Sequence, residues 1–270
     1  GMNYSQFICG LKAANIESAI IQEYGSSLQA LTLKSGFGDI RLWGGIADDE
    51  LLEVTADVNL SNLVFLNDIN SSDFALNRLI GILKWRHDSR ELKVTGRDIL
   101  FEYGNKANQE KVNFNFSRQT DVETSKYQFK IDALDLSSFF ALANKIGLHG
   151  YIPKQITSHH VSGLFYNTKV GWEYKDKAFK ISRLKTDVQG LNVESLNGET
   201  GMWGIDGQLD IYEGDGKIAI ESKNLSFMRE KTLLQKIDFT KMDATVDWKW
   251  DKEKLNITSI AGSYKNNDMK

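Results

Sequence analysis

The tightest constraint on this chain is a two-residue rhythm. Glu53-Val54-Thr55-Ala56-Asp57-Val58-Asn59-Leu60 alternates polar and apolar side chains, and residues 112–116, 127–131, 217–220 and 255–257 repeat the pattern. Successive side chains of a strand point to opposite faces, so each run makes a strip with one greasy and one wet side. Stretches rich in Gly, Asn, Asp and Lys separate the runs, such as Tyr103-Gly104-Asn105-Lys106 and Glu213-Gly214-Asp215-Gly216. They predict hairpins between antiparallel neighbours. The expected fold class is mainly β, with many short connections.

One segment departs from the rhythm. Residues 135–147 open on a capping Asp135, place apolar residues at helical spacing and end on Gly147. The pattern predicts an amphipathic helix near 135–146 with Leu136, Phe139, Phe140, Ala143 and Ile146 as its buried stripe. Pro153, the only proline, follows shortly after. Residues 15–24 fit a helix or a strand, and 73–80 allow a helical turn.

The chain also repeats itself. Asn62-Leu63-Val64-Phe65, Asp73-Phe74, Leu83-Lys84-Trp85 and Glu91-Leu92-Lys93-Val94-Thr95 recur in order as Asn224-Leu225-Ser226-Phe227, Asp238-Phe239, Val246-Asp247-Trp248 and Lys254-Leu255-Asn256-Ile257-Thr258. A middle copy keeps Val170-Gly171-Trp172 and Phe179-Lys180-Ile181-Ser182. In all three, the first apolar residue of the next strand follows the Trp by the same interval: 85 to 92, 172 to 179, 248 to 255. This predicts a repeated hairpin in which the Trp covers its partner strand. The repeats lie near 62–104, 161–186 and 224–264, inside a region spanning 51–270 that follows loosely matching strands in 1–50.

Composition excludes several classes of function. Lys plus Arg is 33 against 36 for Asp plus Glu, a net charge of −3, without the basic excess of a nucleic-acid binder. A single cysteine, Cys9, removes an internal disulfide framework and any Cys-rich metal site. The longest apolar runs, 63–66 and 139–143, are far shorter than the roughly 20 residues of a membrane-spanning helix. Gly1 ahead of Met2 reads as a cleavage scar from an expression tag, so the natural protein is expected to be longer.

No catalytic or metal-binding set stands out, and neither an enzyme nor a cofactor is expected. His159 and His160 are adjacent, so on a strand they point to opposite faces and cannot chelate one ion. His87 and His149 read as turn and cap residues, and Asp48-Asp49-Glu50 as a solvated turn without calcium-loop spacing. The glycine-rich stretch 36–45 has neither a phosphate-loop nor a dinucleotide pattern. A hydrolase would need a carboxylate pair such as Asp206 with Asp210 or Glu194 with Glu199, and these lack supporting context.

What remains is architectural. A sheet's apolar face must be buried against something, and one short helix cannot shield a dozen strands. Either the sheet closes on itself as a sandwich or barrel, or it forms an open trough whose lining is covered by a long apolar ligand such as an acyl chain.

Several passages resemble the AsmA-like proteins of Gram-negative bacteria, in particular the YhdP branch. They are Phe129-Lys130-Ile131-Asp132-Ala133-Leu134-Asp135-Leu136 leading into the helix, Leu196-Asn197-Gly198, Ile205-Asp206-Gly207, Gly216-Lys217-Ile218-Ala219-Ile220-Glu221-Ser222-Lys223-Asn224-Leu225, and the strand-ending tryptophans of Leu83-Lys84-Trp85 and Val246-Asp247-Trp248-Lys249-Trp250. The likeness covers most of 50–268 through patterned apolar positions rather than a catalytic signature. It implies a long curved antiparallel sheet forming an open groove of repeating hairpins. It also implies a periplasmic protein, anchored in the inner membrane by a segment outside this chain, that moves phospholipid towards the outer membrane and supports its barrier.

On that reading Phe114, Phe116, Phe129, Ile131, Ile218, Ile220, Leu255 and Ile257 are candidates for the lining that holds acyl chains. The expected partners are phospholipid acyl chains and the two membranes, with edge-to-edge self-association of strands and no nucleic acid. The alternative is a β-sandwich glycan-binding, adhesion or scaffolding module in which Trp43, Trp203 and Trp250 stack on sugar rings.

Overall fold

A computed structural model describes residues 4–11, 31–47, 50–67, 72–88, 90–103, 110–121, 124–145, 158–175, 178–196, 200–213, 215–229, 236–251 and 254–265. The chain divides into two compact units, residues 1–122 with 140–150 and residues 123–139 with 151–270. The helix or strand expected at 15–24 lies outside the described residues, as does the hairpin connection at 104–106.

The first unit is an antiparallel meander of β1 (Tyr4–Leu11), β2 (Leu31–Ala47), β3 (Glu50–Asn67), β4 (Ser72–His87), β5 (Glu91–Glu102) and β6 (Val112–Thr120), each strand pairing with its predecessor. It is open: among the described residues β1 pairs with β2 and with no later strand. Residues 73–80, where a helical turn was allowed, are instead part of β4. Phe74, Leu76 and Leu79 sit opposite Phe65, Leu63 and Leu60 of β3, and this long-range apolar pairing overrides local helical spacing.

The second unit contains β7 (Ser125–Asp135), β8 (His159–Lys175), β9 (Ala178–Ser195), β10 (Thr200–Tyr212), β11 (Asp215–Ser222), β12 (Leu225–Arg229), β13 (Ile237–Phe239), β14 (Lys241–Asp251) and β15 (Lys254–Lys265). Its order is β7-β8-β9-β10-β11-β14-β15, antiparallel and again unclosed. β11 and β12 lie one after the other along the same edge of β10, interrupted at Asn224.

The one described helix, α1 (Leu136–Lys145), follows β7 directly. Its N-terminus is capped as expected, the Ser138 N–H donating to Asp135 Oδ1 at 2.8 Å. Leu136 and Ala143 are buried, and Leu142 packs on the first unit's core of Val58, Leu60, Leu63, Phe74 and Leu76. Phe139 departs from the expected stripe, since its side chain is exposed. A helix of under three turns covers one patch, and here that patch takes Leu142 instead. Ile146 lies outside the described residues.

Strands of up to 18 residues stay regular only by inserting irregularities. Asn62, Asp98, Asn167 and Asn224 all adopt left-handed backbone angles, with φ of 49°, 53°, 51° and 62°. Each is followed by a buried side chain: Leu63, Ile99, Thr168 and Leu225. At Asn62 the apolar face passes from Val58 and Leu60 to Leu63 and the partly buried Phe65, while the register with β4 is unbroken. Asn and Asp tolerate this geometry better than other side-chain-bearing residues. Two glycines make room opposite: a Cβ on Gly36 would stand 2.5 Å from Leu63 Cδ2, and one on Gly81 2.6 Å from Ile99 Cδ1.

The β4–β5 hairpin is fixed by Asp88, whose Oδ1 accepts from the N–H groups of Arg90 at 2.9 Å and Glu91 at 2.8 Å. These bonds favour the charged carboxylate and hold its pKa below the ordinary value.

Two outcomes follow. Asn62→Val should lower unfolding stability by about 1–2 kcal/mol while Asn62→Gly stays within about 0.5 kcal/mol, measured by urea denaturation. Equal losses in both would show that the left-handed angle is not what Asn62 supplies. A depressed carboxyl pKa stabilises the hairpin fully above the unfolded value of about 3.9, and the gain disappears as pH falls through the lower folded value. The amide shifts of Arg90 and Glu91, followed by NMR, should accordingly titrate with a midpoint below that of an Asp peptide, and a midpoint at or above it would contradict the cap.

Candidate functional site

Register assigns every described side chain to a face. In the first unit, residues opposite one another on β4, β5 and β6 form rows: Leu83, Gly96 and Phe114; Trp85, Val94 and Phe116. On β2 and β3, Ile40 and Leu42 sit opposite Val58 and Ala56 on the same apolar face, whose far part is the buried core under Leu142. Phe114 and Phe116 therefore lie on one face with that core, and both are half-buried. A Cβ on Gly96 would collide with the Phe114 ring, so the glycine leaves the room that the ring occupies.

The second unit repeats the arrangement. Tyr127, Phe129 and Ile131 sit opposite Trp172, Val170 and Thr168. The face continues through Leu184, Thr186 and Val188 to Ile211, Leu209 and Gly207, then Ile218 and Ile220, then Val246 and Ala244. It ends on Tyr264, Ile260 and Ile257 of β15. Buried Ile205, Ile220 and Leu225 form its core, and elsewhere on the face the buried Thr168 and Thr186 hydroxyls bond each other at 2.8 Å.

The cover is incomplete. Ile220 is 6% exposed, whereas Ile257 and Ile260 on the same face are 57% and 69% exposed, and Ile181 is exposed as well. Phe129 and Ile218 are half-buried and Ile131 is buried. Leu255 shares the face by register opposite Trp250, and its side chain lies outside the described residues. The eight lining candidates thus fall into a pair on the first unit's apolar face and a set of six on the second unit's.

The opposite faces are charged. In the second unit they carry ion pairs such as Arg183 with Asp210 at 3.3 Å and Lys126 with Glu173 at 3.8 Å, and in the first unit Lys84 with Glu53 at 2.7 Å. Exposed pairs of this kind contribute only about 0–1 kcal/mol each, so their effect is to keep that face in water.

A family model described as YhdP protein matches residues 11–270. The chain belongs to the YhdP family. No curated protein and no solved structure matches it significantly. No described helix is long and apolar enough to cross a membrane.

Trp85, Trp172 and Trp248 sit opposite Val94, Ile181 and Ile257, the residue nine positions later in each case, so the three hairpins share one register. All three rings belong to the apolar faces, and Trp172 stacks on Tyr127 with centroids 5.3 Å apart.

The tryptophans proposed as a sugar platform are arranged differently. Trp43 lies opposite Thr55, off the apolar face, and Trp203 lies opposite Ser226, out of phase with the apolar Met202, with the Lys236 ammonium 5.3 Å from its ring centroid. Trp250 is in register with the apolar face and its side chain is not described.

The carboxylates considered for hydrolysis are held by structural partners. Asp206 Oδ1 accepts from the Gly190 N–H at 2.7 Å, and Asp210 pairs with Arg183. Glu194 lies opposite Gly201, and Glu199 and the 48–49 cluster lie outside the described residues. His159 and His160 face Ser195 and Glu194 as strand neighbours, and among the described residues no three His, Cys, Asp or Glu side chains gather as a metal site.

The sequence reading missed Ile181, Val246 and Ile260 as lining, although residues 244, 246 and 248 continue the two-residue rhythm. Truncation separates core from lining. Ile220→Ala should cost about 2–5 kcal/mol and Ile257→Ala under about 1 kcal/mol by chemical denaturation. Comparable losses would mean that Ile257 is packed rather than open.

Proposed function

We propose that this chain is a non-enzymatic segment of an inner-membrane-anchored periplasmic protein that carries phospholipid between the inner and outer membranes and so supports the outer-membrane barrier. One observation carries the reading. Each unit has one charged face and one apolar face, and in the second unit the apolar face runs from a buried core to large side chains left open at Ile257 and Ile260. Membership of the YhdP family supports the same reading.

The chemistry is simple. Burying a methylene is worth about 0.8 kcal/mol, so an acyl chain laid along the open lining is held without polar recognition. The backbone around it is already paired within the sheet, and the lining needs no proton transfer, nucleophile or metal. Transfer is then movement along a face rather than turnover. The headgroup stays at the wet rim.

Lipid extracted from the purified chain and resolved by mass spectrometry tests this. Phospholipid should be recovered, and the double variant Ile257→Asp with Ile260→Asp should retain several-fold less while unfolding at the same urea concentration. An extract free of lipid, together with glycan binding on an array, would replace the carrier reading with a recognition module.

A further inference from the structure

Strand β6 reads Val112-Asn113-Phe114-Asn115-Phe116-Ser117-Arg118, and the residue in the next apolar-phase position is an arginine. Register places Arg118 opposite Leu92, which is itself opposite His87. This row is one step outward from Trp85, Val94 and Phe116, and it borders the β4–β5 hairpin, where the Thr120 N–H donates to Arg90 O at 3.0 Å. Among the described positions that register assigns to this face of β2 to β6, Arg118 is the one permanently charged side chain.

An arginine on an apolar surface ordinarily lays its stem on the grease and extends its head into water. Here the head is not fully released: Nε is sealed from solvent and reaches no acceptor on the protein. A buried donor without a partner is costly, and a shift of the side chain that brings the guanidinium edge out to an anion's oxygens removes that cost. A planar guanidinium matches a phosphate through paired N–H donors. Strand geometry puts the neighbouring aromatic row only about 7 Å away, so an anion at Arg118 with an apolar tail meets Trp85 and Phe116 at once.

We infer that Arg118 is an anion subsite at the rim of the first unit's apolar face that takes the phosphodiester of a lipid headgroup while the tails lie over Trp85, Val94 and Phe116. The inference rests on the carrier reading and adds to it a preference that apolar burial alone cannot supply. A lipid with a phosphate is favoured over a neutral diacyl lipid, and the chain enters with a defined end at the hairpin rim.

The test compares binding of dioleoylphosphatidylglycerol and dioleoylglycerol by native mass spectrometry, using the 270-residue chain, Arg118→Gln and Arg118→Lys. The parent should favour the phosphate-bearing lipid by about tenfold or more, the value of one charge-assisted interaction. Arg118→Gln should lose that preference and keep its uptake of dioleoylglycerol, and Arg118→Lys should keep part of the preference. Undiminished preference in Arg118→Gln overturns the subsite and leaves the carrier reading standing. Uptake of neither lipid by the parent overturns the carrier reading and the subsite with it. Calorimetry with inorganic phosphate alone provides the remaining arm. Saturable binding that Arg118→Gln abolishes, without any preference between the two lipids, assigns the site to free phosphate and overturns the headgroup assignment.

Discussion

Everything in this molecule depends on cross-strand pairing that keeps apolar side chains in phase. Backbone hydrogen bonds satisfy the polar main chain within the sheet, and register then decides which side chains share a face. Slipping one strand by a residue would exchange its greasy and wet sides. The rows Trp85-Val94-Phe116 and Tyr127-Trp172 show that phase is kept between adjacent strands. The outcome is two faces of opposite character and more apolar surface than α1 can cover.

Long strands threaten that phase, and the left-handed Asn and Asp residues preserve it. Each of Asn62, Asp98, Asn167 and Asn224 sits immediately before a buried side chain. The three tryptophan hairpins, which share one register, set the phase at the other end of the strands. A chain built this way tolerates variation in its charged face, because exposed ion pairs there contribute little to stability. Variation on the apolar face is constrained by packing where it is buried.

Much of this was legible in the residues. The alternation around 53–60, 112–116 and 217–220 identified strands and their apolar sides, and Asp135 marked the helix start that Ser138 confirms with its hydrogen bond. Three things were not local enough to read. Residues 73–80 have helical spacing, and only pairing with β3 makes them a strand. Phe139 fits a helical stripe, but what covers a short helix is decided by distant residues. Ile220 and Ile257 carry the same signal, yet one lies in a packed core and the other on the second-last strand's open partner, a difference set by neighbours far away in sequence. Arg118 was visible as an interruption of the alternation on β6, and its significance needed the register that aligns it with Leu92 and His87.

Family membership and the open apolar lining converge on one claim, that this lining is a hydrocarbon-binding surface rather than an unfinished core. A nitroxide on Ile257→Cys and another on Lys249→Cys, each in a Cys9→Ser background, report local polarity and collision with a water-soluble relaxant by electron paramagnetic resonance. On adding phospholipid the label at 257 should move to a hydrocarbon-like polarity and lose access to the relaxant, while the label at 249, on the charged face, stays aqueous. Identical responses at the two positions, or an aqueous label at 257 throughout, would contradict the account.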